Sequence, residues 1–114
     1  MKTITLQIDH NKYSEKIEIK DTQTLADLAK KILTTYCYSN NHAHAFFLNN
    51  TYWSNEDSIF SDGLDEEHYL ISRFQRSTQD VKIKEIHFIP NVEFKFIFDF
   101  AEEKRFQCKV IDVK

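Results

Sequence analysis

The chain has 114 residues, 41% of them hydrophobic and 29% charged, and a formal net charge of −3. That size and balance describe one globular domain that can bury its own core without metal or disulfide staples, and they exclude a disordered chain. The negative balance also argues against nonspecific nucleic-acid binding, which needs a basic face.

Residues 3–8 alternate Ile4, Leu6 and Ile8 with polar residues, the period of a half-buried strand. A polar turn follows, and then a second alternating run at residues 13–20 sets Tyr13, Ile17 and Ile19 on one face. Two such runs across a short polar loop predict an N-terminal β-hairpin. The period then changes. Leu25, Leu28, Ala29, Ile32, Leu33 and Tyr36 recur at helical spacing and predict one amphipathic helix, entered through Thr24 and Asp27 as a capping box. Residues 42–50 read as a strand, with Ala43, Ala45 and Phe47 on one side and His42, His44, Phe46 and Leu48 on the other.

An acidic, irregular excursion is expected at about 50–68, inside a single domain spanning 1–114. Residues 69–74 (YLISRF) read as a short strand, and residues 81–91 as an extended or turn segment ending at Pro90. FKFIFDF and KRFQCKVIDV predict a closing C-terminal β-hairpin, with Phe94, Phe96, Phe98 and Phe100 in one row and Phe106, Cys108 and Val110 in another. The whole is an α+β fold: an N-terminal β-hairpin, then one amphipathic helix packed on a mixed, mostly antiparallel sheet. The chain has 1 Gly, so Asn and Asp are expected to make the turns, at Asn40–Asn41, Asn49–Asn50 and Asp62–Gly63, with Pro90–Asn91 as a further pair.

Three groups of residues could carry chemistry. Asp99 lies opposite the phenylalanine row, and Glu102 and Glu103 follow it in the turn. Such a cluster could bind a cation, act as acid or base, or grip a basic partner. The reading favoured here is a solvated hairpin end whose acids are balanced by Lys104 and Arg105. His42 and His44, one residue apart on a strand, would point the same way and with Asp99 could serve a metal-assisted hydrolase. Two histidines do not make a site, and no metal or cofactor is expected. Trp53, set among acids, is either an interaction anchor or a plug that pins a long loop.

No phosphate-cradling loop, nucleophile elbow or calcium-loop pattern is present in the sequence, which makes an enzyme the weaker class. Cys37 and Cys108 lack metal-type spacing and read as reduced thiols. No signal-peptide stretch or membrane-spanning run is visible, so a cytoplasmic protein is expected.

Several segments in order resemble the plasmid pRiA4b ORF-3-like proteins, a family related to a transposon passenger protein. TLADLAKKIL is similar to that family's helix segment, and HAHAFFLNNTYWS to its histidine, Phe-Phe, asparagine and tryptophan stretch. FKFIFDFAEEKRFQCKV resembles its aromatic strand, Asp-Phe-Gly-Asp-x-Trp turn and final strand. The resemblance covers most of the chain and implies a helix on a mostly antiparallel sheet. His42, Phe46, Phe47, Asn50, Trp53, Asp99 and Phe100 coincide with the pattern. Where the family has Gly-Asp-x-Trp, this chain has Ala101, Glu102, Glu103 and Lys104, so that only the charge at Glu102 is kept. Alanine tolerates positive φ less well than glycine, which implies a different or strained turn.

The functional expectation is a small, non-catalytic protein-interaction module of mobile-element or phage-like origin. Its contact surface would be residues 50–68, with Trp53 as anchor and Asp57, Asp62, Asp65, Glu66 and Glu67 as an acidic rim. One variant is an inhibitor whose acids mimic nucleic-acid phosphates. The alternatives are the hydrolase or ligand-binding site on His42, His44 and Asp99, and a nucleic-acid-binding accessory protein using Lys82, Lys84, Lys104, Arg105 and Lys109. The partner is expected to be another protein.

Overall fold

A computed structural model of the chain describes residues 1–39, 41–54, 58–60 and 77–114. The strand expected at 69–74, the Asp62–Gly63 turn, Asn40, and the rim residues Asp57, Asp62, Asp65, Glu66 and Glu67 lie outside the described residues.

The elements in chain order are β1 (Thr3–His10), β2 (Tyr13–Lys20), α1 (Leu25–Thr35), β3 (His44–Phe47), β4 (Ser58–Phe60), α2 (Ile83–Ile86), β5 (Glu93–Phe98) and β6 (Lys104–Val113). They form an α+β fold around a sheet of order β2-β1-β6-β5-β3-β4. Among the described residues, each pairing of neighbouring strands is antiparallel.

Period-two alternation sends Ile4, Leu6, Ile8, Ile17, Ile19, Phe94, Phe96, Phe106, Cys108 and Val110 to one face, where they merge with the buried stripe of α1. β6 carries one irregularity. Thr5 pairs with Asp112 while its neighbour Leu6 pairs with Val110, so Ile111 is an extra residue in a bulge. The extra residue resets the alternation, so Val113 packs against the core three positions after Val110. The other face holds a smaller cluster of Ala45, Phe47 and Ile97, covered by Tyr52 and Phe100. All four residues of β3 are therefore buried.

α1 begins as its sequence suggests. The Thr24 hydroxyl accepts the Asp27 N–H at 3.2 Å, and the Asp27 carboxylate accepts the Thr24 N–H at 3.0 Å. Two further first-turn donors, on Leu25 and Ala26, reach the carbonyls of Val81 and Thr78, each at 2.9 Å. The far end is closed by paired bonds from Tyr38 N–H to Leu33 C=O and from Cys37 N–H to Thr34 C=O, with Cys37 left-handed at φ 64°. That is a Schellman motif with cysteine in the usual glycine position.

Several expectations need correction. β3 starts only at His44, so His42 precedes the strand. The excursion is not wholly irregular, since Ser58–Phe60 pairs with β3 as an outer strand. Residues 81–91 contain the helix α2. It ends at left-handed His87 (φ 60°), and Phe88 then stacks on Phe94 at 4.9 Å between ring centroids. Tyr13 keeps the register of Ile17 and Ile19 but is 68% exposed. Its cross-strand partner His10, by contrast, is buried.

Both cysteines are free thiols, Cys37 exposed and Cys108 buried. Burial pushes the Cys108 thiol well above its ordinary range. A left-handed non-glycine residue costs roughly 1–2 kcal/mol. The substitution Cys37→Gly is therefore expected to stabilise the fold by about 1 kcal/mol, read as a higher urea midpoint at unchanged slope. No gain would show that the Cys37 side chain contributes packing that offsets its backbone strain.

Candidate functional site

The residues singled out by chemistry converge on the connection between β5 and β6. β5 ends because Asp99 turns left-handed, at φ 61°. Its N–H donates to the Ala43 carbonyl at 2.9 Å, and its own carbonyl accepts the N–H groups of Glu102 (3.1 Å) and Glu103 (2.6 Å). Glu103 is left-handed as well, at φ 49°. Ala101 is not among the positive-φ residues, so the turn needs no glycine there. The special backbone has moved to the two acids that bracket the turn. The reversal at Asp99 also takes Phe100 out of the row of Phe94, Phe96 and Phe98 and packs it on the opposite face.

The charged side chains of this turn are engaged with one another. The Asp99 carboxylate, 13% exposed, lies 3.6 Å from the Lys104 ammonium and 3.8 Å from His42 Nε2. Lys104 also bonds Glu102, which raises the lysine above its ordinary value. Glu103 accepts from Arg105 Nη2 at 2.8 Å and from Trp53 Nε1 at 3.1 Å; the arginine bond is the larger influence holding that carboxyl below its usual range. The Arg105 guanidinium lies over the Tyr52 ring at 4.5 Å. Burial raises the Tyr52 phenol. Trp53 is left-handed (φ 58°) and sets its ring edge-on to Phe47 at 5.5 Å and Phe100 at 5.1 Å while staying 41% exposed.

Sequence reasoning missed His10. Its Nδ1–H donates to the Arg105 carbonyl at 2.8 Å, which fixes the tautomer, so Nε2 accepts the Tyr38 hydroxyl at 2.9 Å. The ring stacks on Phe106 at 4.0 Å. The signal in the sequence was its place in the alternation of Ile4, Leu6 and Ile8, two positions on. His10, Asn11, Tyr38, Glu102, Lys104 and Arg105 line an open cleft of about 510 Å³ together with Glu103.

The remaining candidates go elsewhere. His44 is buried on the core face, its Nε2 2.9 Å from the Thr78 hydroxyl, while His42 is half-exposed beside Asp99. The structure thus joins His42 to Asp99 but turns His44 into the core. Asn50, left-handed at φ 64°, accepts from Lys95 Nζ at 3.2 Å and from Gln107 Nε2 at 2.7 Å, fastening its loop to the strands. Lys82 and Lys84 sit at α2, whereas Lys104, Arg105 and Lys109 lie along β6. Among the described residues, no group of three or more His, Cys, Asp or Glu side chains is placed to hold a metal ion. No helix among them is long and apolar enough to cross a membrane.

Comparison with known proteins agrees on the fold. The sequence model of the plasmid pRiA4b ORF-3-like protein family matches residues 2–114. Among solved structures, the chain is similar to the protein of unknown function MM3350 from Methanosarcina mazei Go1. The TM-score is 0.73 at 18% identity, covering 98% of this chain and 60% of that one. No curated protein matches the chain.

His44 gives this region a pH dependence. Burial lowers its pKa from the ordinary 6.5 to about 4. In the unfolded chain it takes a proton below about 6.5, but in the fold it stays neutral until about 4. The stability tied to the neutral ring is complete above 6.5, falls as pH drops through that window and levels off below it. Between pH 7.5 and 4 the wild type is expected to lose about 3 kcal/mol more than His44→Gln does. Urea unfolding of both proteins across that range measures the difference, and parallel pH profiles would contradict the assignment.

Proposed function

The chain belongs to the plasmid pRiA4b ORF-3-like family, and on that basis we propose that it is a small, non-catalytic protein-interaction module of a mobile element, docking another protein through the surface around Trp53. The observation that carries this reading is the presentation of Trp53. An aromatic ring held by the Glu103 bond and by Phe47 and Phe100, yet left half-exposed, has already lost the freedom that binding would otherwise remove. The sequence that follows is acidic, with Glu56, Asp57, Asp62, Asp65, Glu66 and Glu67 and no Lys or Arg among residues 54–68. Such a rim suits a basic partner surface, and in the inhibitor variant it would occupy a groove made for nucleic acid. The proposal places the protein in the cytoplasm, where free thiols such as Cys37 and Cys108 stay reduced.

The mutual pairing of Asp99, Glu102, Glu103, Lys104 and Arg105 supports a structural role for the family turn in this chain. A second reading, a ligand-binding or hydrolytic site on His42, Asp99 and His44, draws support from the His42–Asp99 approach alone. The placement of His44 against Thr78 weighs against it. The nucleic-acid reading on Lys104 and Arg105 is weakened because both already bond carboxylates.

The test is capture of partners from host lysate on the immobilised protein after nuclease treatment, at low and moderate salt. One protein is expected to be retained, and Trp53→Ala should weaken it by about 30-fold, the scale of an interface hot spot. The inhibitor variant further expects affinity to fall steeply with salt. Retention abolished by nuclease, or indifferent to Trp53→Ala, would overturn the reading.

A further inference from the structure

Among the described residues, β2 is the outermost strand on its side of the sheet, and Ser14, Glu15, Lys16 and Glu18 are all exposed. Its register with β1 is continuous from Thr3↔Lys20 to His10↔Tyr13, with no bulge to twist the edge away and no proline to block it. The backbone shows which groups face outward. Asp21 N–H donates to Lys2 C=O at 2.9 Å, so odd-numbered positions of this strand bond to β1. Even-numbered positions therefore turn their N–H and C=O groups away. Lys20 illustrates it, since its outward N–H is taken by Gln23 Oε1 at 3.2 Å and its carbonyl by Gln23 N–H at 3.0 Å. Ser14, Lys16 and Glu18 are left with outward-facing backbone groups on the exposed edge.

We propose that the occupant of this edge is a second copy of the same chain, joined antiparallel about a two-fold axis at Ile17. Residues directly opposite in an antiparallel pair share a face, so a symmetric pairing must match even positions with even and odd with odd. With the axis at Ile17, Lys16 of each copy faces Glu18 of the other, twice, and Ile17 meets Ile17 on the core side. Those two Lys16–Glu18 pairs are of the hydrogen-bonded kind, each exchanging both backbone bonds. Gln23 closes the ladder beyond them.

The neighbouring registers are penalised. An axis at Lys16 sets Lys16 against itself, one at Glu15 sets Glu15 against itself, and one at Glu18 sets Glu18 against itself. Charges on an edge strand ordinarily guard it against pairing. Here the same charges reject slipped registers and attract in one, which is how a symmetric, isologous contact is specified.

The experiment is analytical ultracentrifugation of the full chain over a concentration series. The wild type is expected to show a concentration-dependent dimer. Glu18→Lys and Lys16→Glu should each weaken it by about tenfold or more, because like charges then meet at both pairs. The double variant Lys16→Glu/Glu18→Lys should restore it. Within one copy the residues directly opposite Lys16 and Glu18 on β1 are the uncharged Gln7 and Thr5, so the exchange sets no like charges directly across the fold. Circular dichroism of each variant checks that folding is intact. A wild type that is monomeric throughout the series overturns the proposal. So does a dimer unaffected by the single reversals, or one the double exchange fails to restore.

Discussion

The contact on which the arrangement of helix and sheet depends is made by Thr78, a fully buried threonine. Its carbonyl accepts the Ala26 N–H at the start of α1, and its hydroxyl meets His44 on β3. One residue thus satisfies polar groups on two separate elements. A helix start buried without partners would leave costly donors behind. Thr78 and Val81 supply carbonyl acceptors for Ala26 and Leu25, while Ile83 and Lys84 donate their N–H groups to the carbonyls of Gln23 and Asp21 just before the helix. The neutrality of His44 belongs to the same arrangement, since a charged ring at that depth would need solvation that the core cannot offer.

The second constraint is the backbone of the β5–β6 turn. By reversing at Asp99 the chain divides the row of Phe94, Phe96, Phe98 and Phe100 between two faces, the first three into the main core and Phe100 into the smaller cluster beneath Trp53. The carboxylate that follows at Glu103 then holds the indole of Trp53. A change in the turn is therefore transmitted to the surface aromatic through one hydrogen bond and one ring contact. The divergent family motif and Trp53 are a single mechanical unit.

The α+β class and the mostly antiparallel sheet were legible because period-two and period-3.6 patterns separate cleanly along this chain. Leu25, Leu28, Ala29, Ile32 and Leu33 read as a stripe since each spacing is helical, and all five are buried. What the pattern hid was phase. Phe100 continues the alternation of Phe94, Phe96 and Phe98, and nothing in that alternation announces a left-handed residue at Asp99. The same blindness assigned His42 and His44 to one strand face, although the strand begins only at His44. With glycine nearly absent, positive φ falls on Asn11, Asn50, Asn91 and Asp99, as the chemistry of Asn and Asp favours, but also on Cys37, Trp53, His87 and Glu103. Cys37 and His87 stand at helix C-termini, where a left-handed residue closes the helix, whereas residue type does not announce Trp53 or Glu103. His10 escaped notice as a site residue for a related reason: its partners Tyr38 and Arg105 are 28 and 95 positions away.

The pairing of β1 with β6 sets a kinetic character for the whole fold. Thr3 and Lys114 exchange backbone hydrogen bonds at 2.8 and 2.9 Å, so the middle of the sheet is stitched from opposite ends of the sequence. β1–β2 and β5–β6 are local and can zip on their own, whereas joining them closes a loop of about a hundred residues. Closure entropy grows only slowly with loop length, by about 0.6 kcal/mol per doubling. Contacts this distant nevertheless place the chain among high-contact-order topologies, whose folding is slow because the reward comes after the search. Until that seam forms, the inner edges of both hairpins stand open, and the assembling chain is most exposed to mispairing at the strands that end up most deeply enclosed.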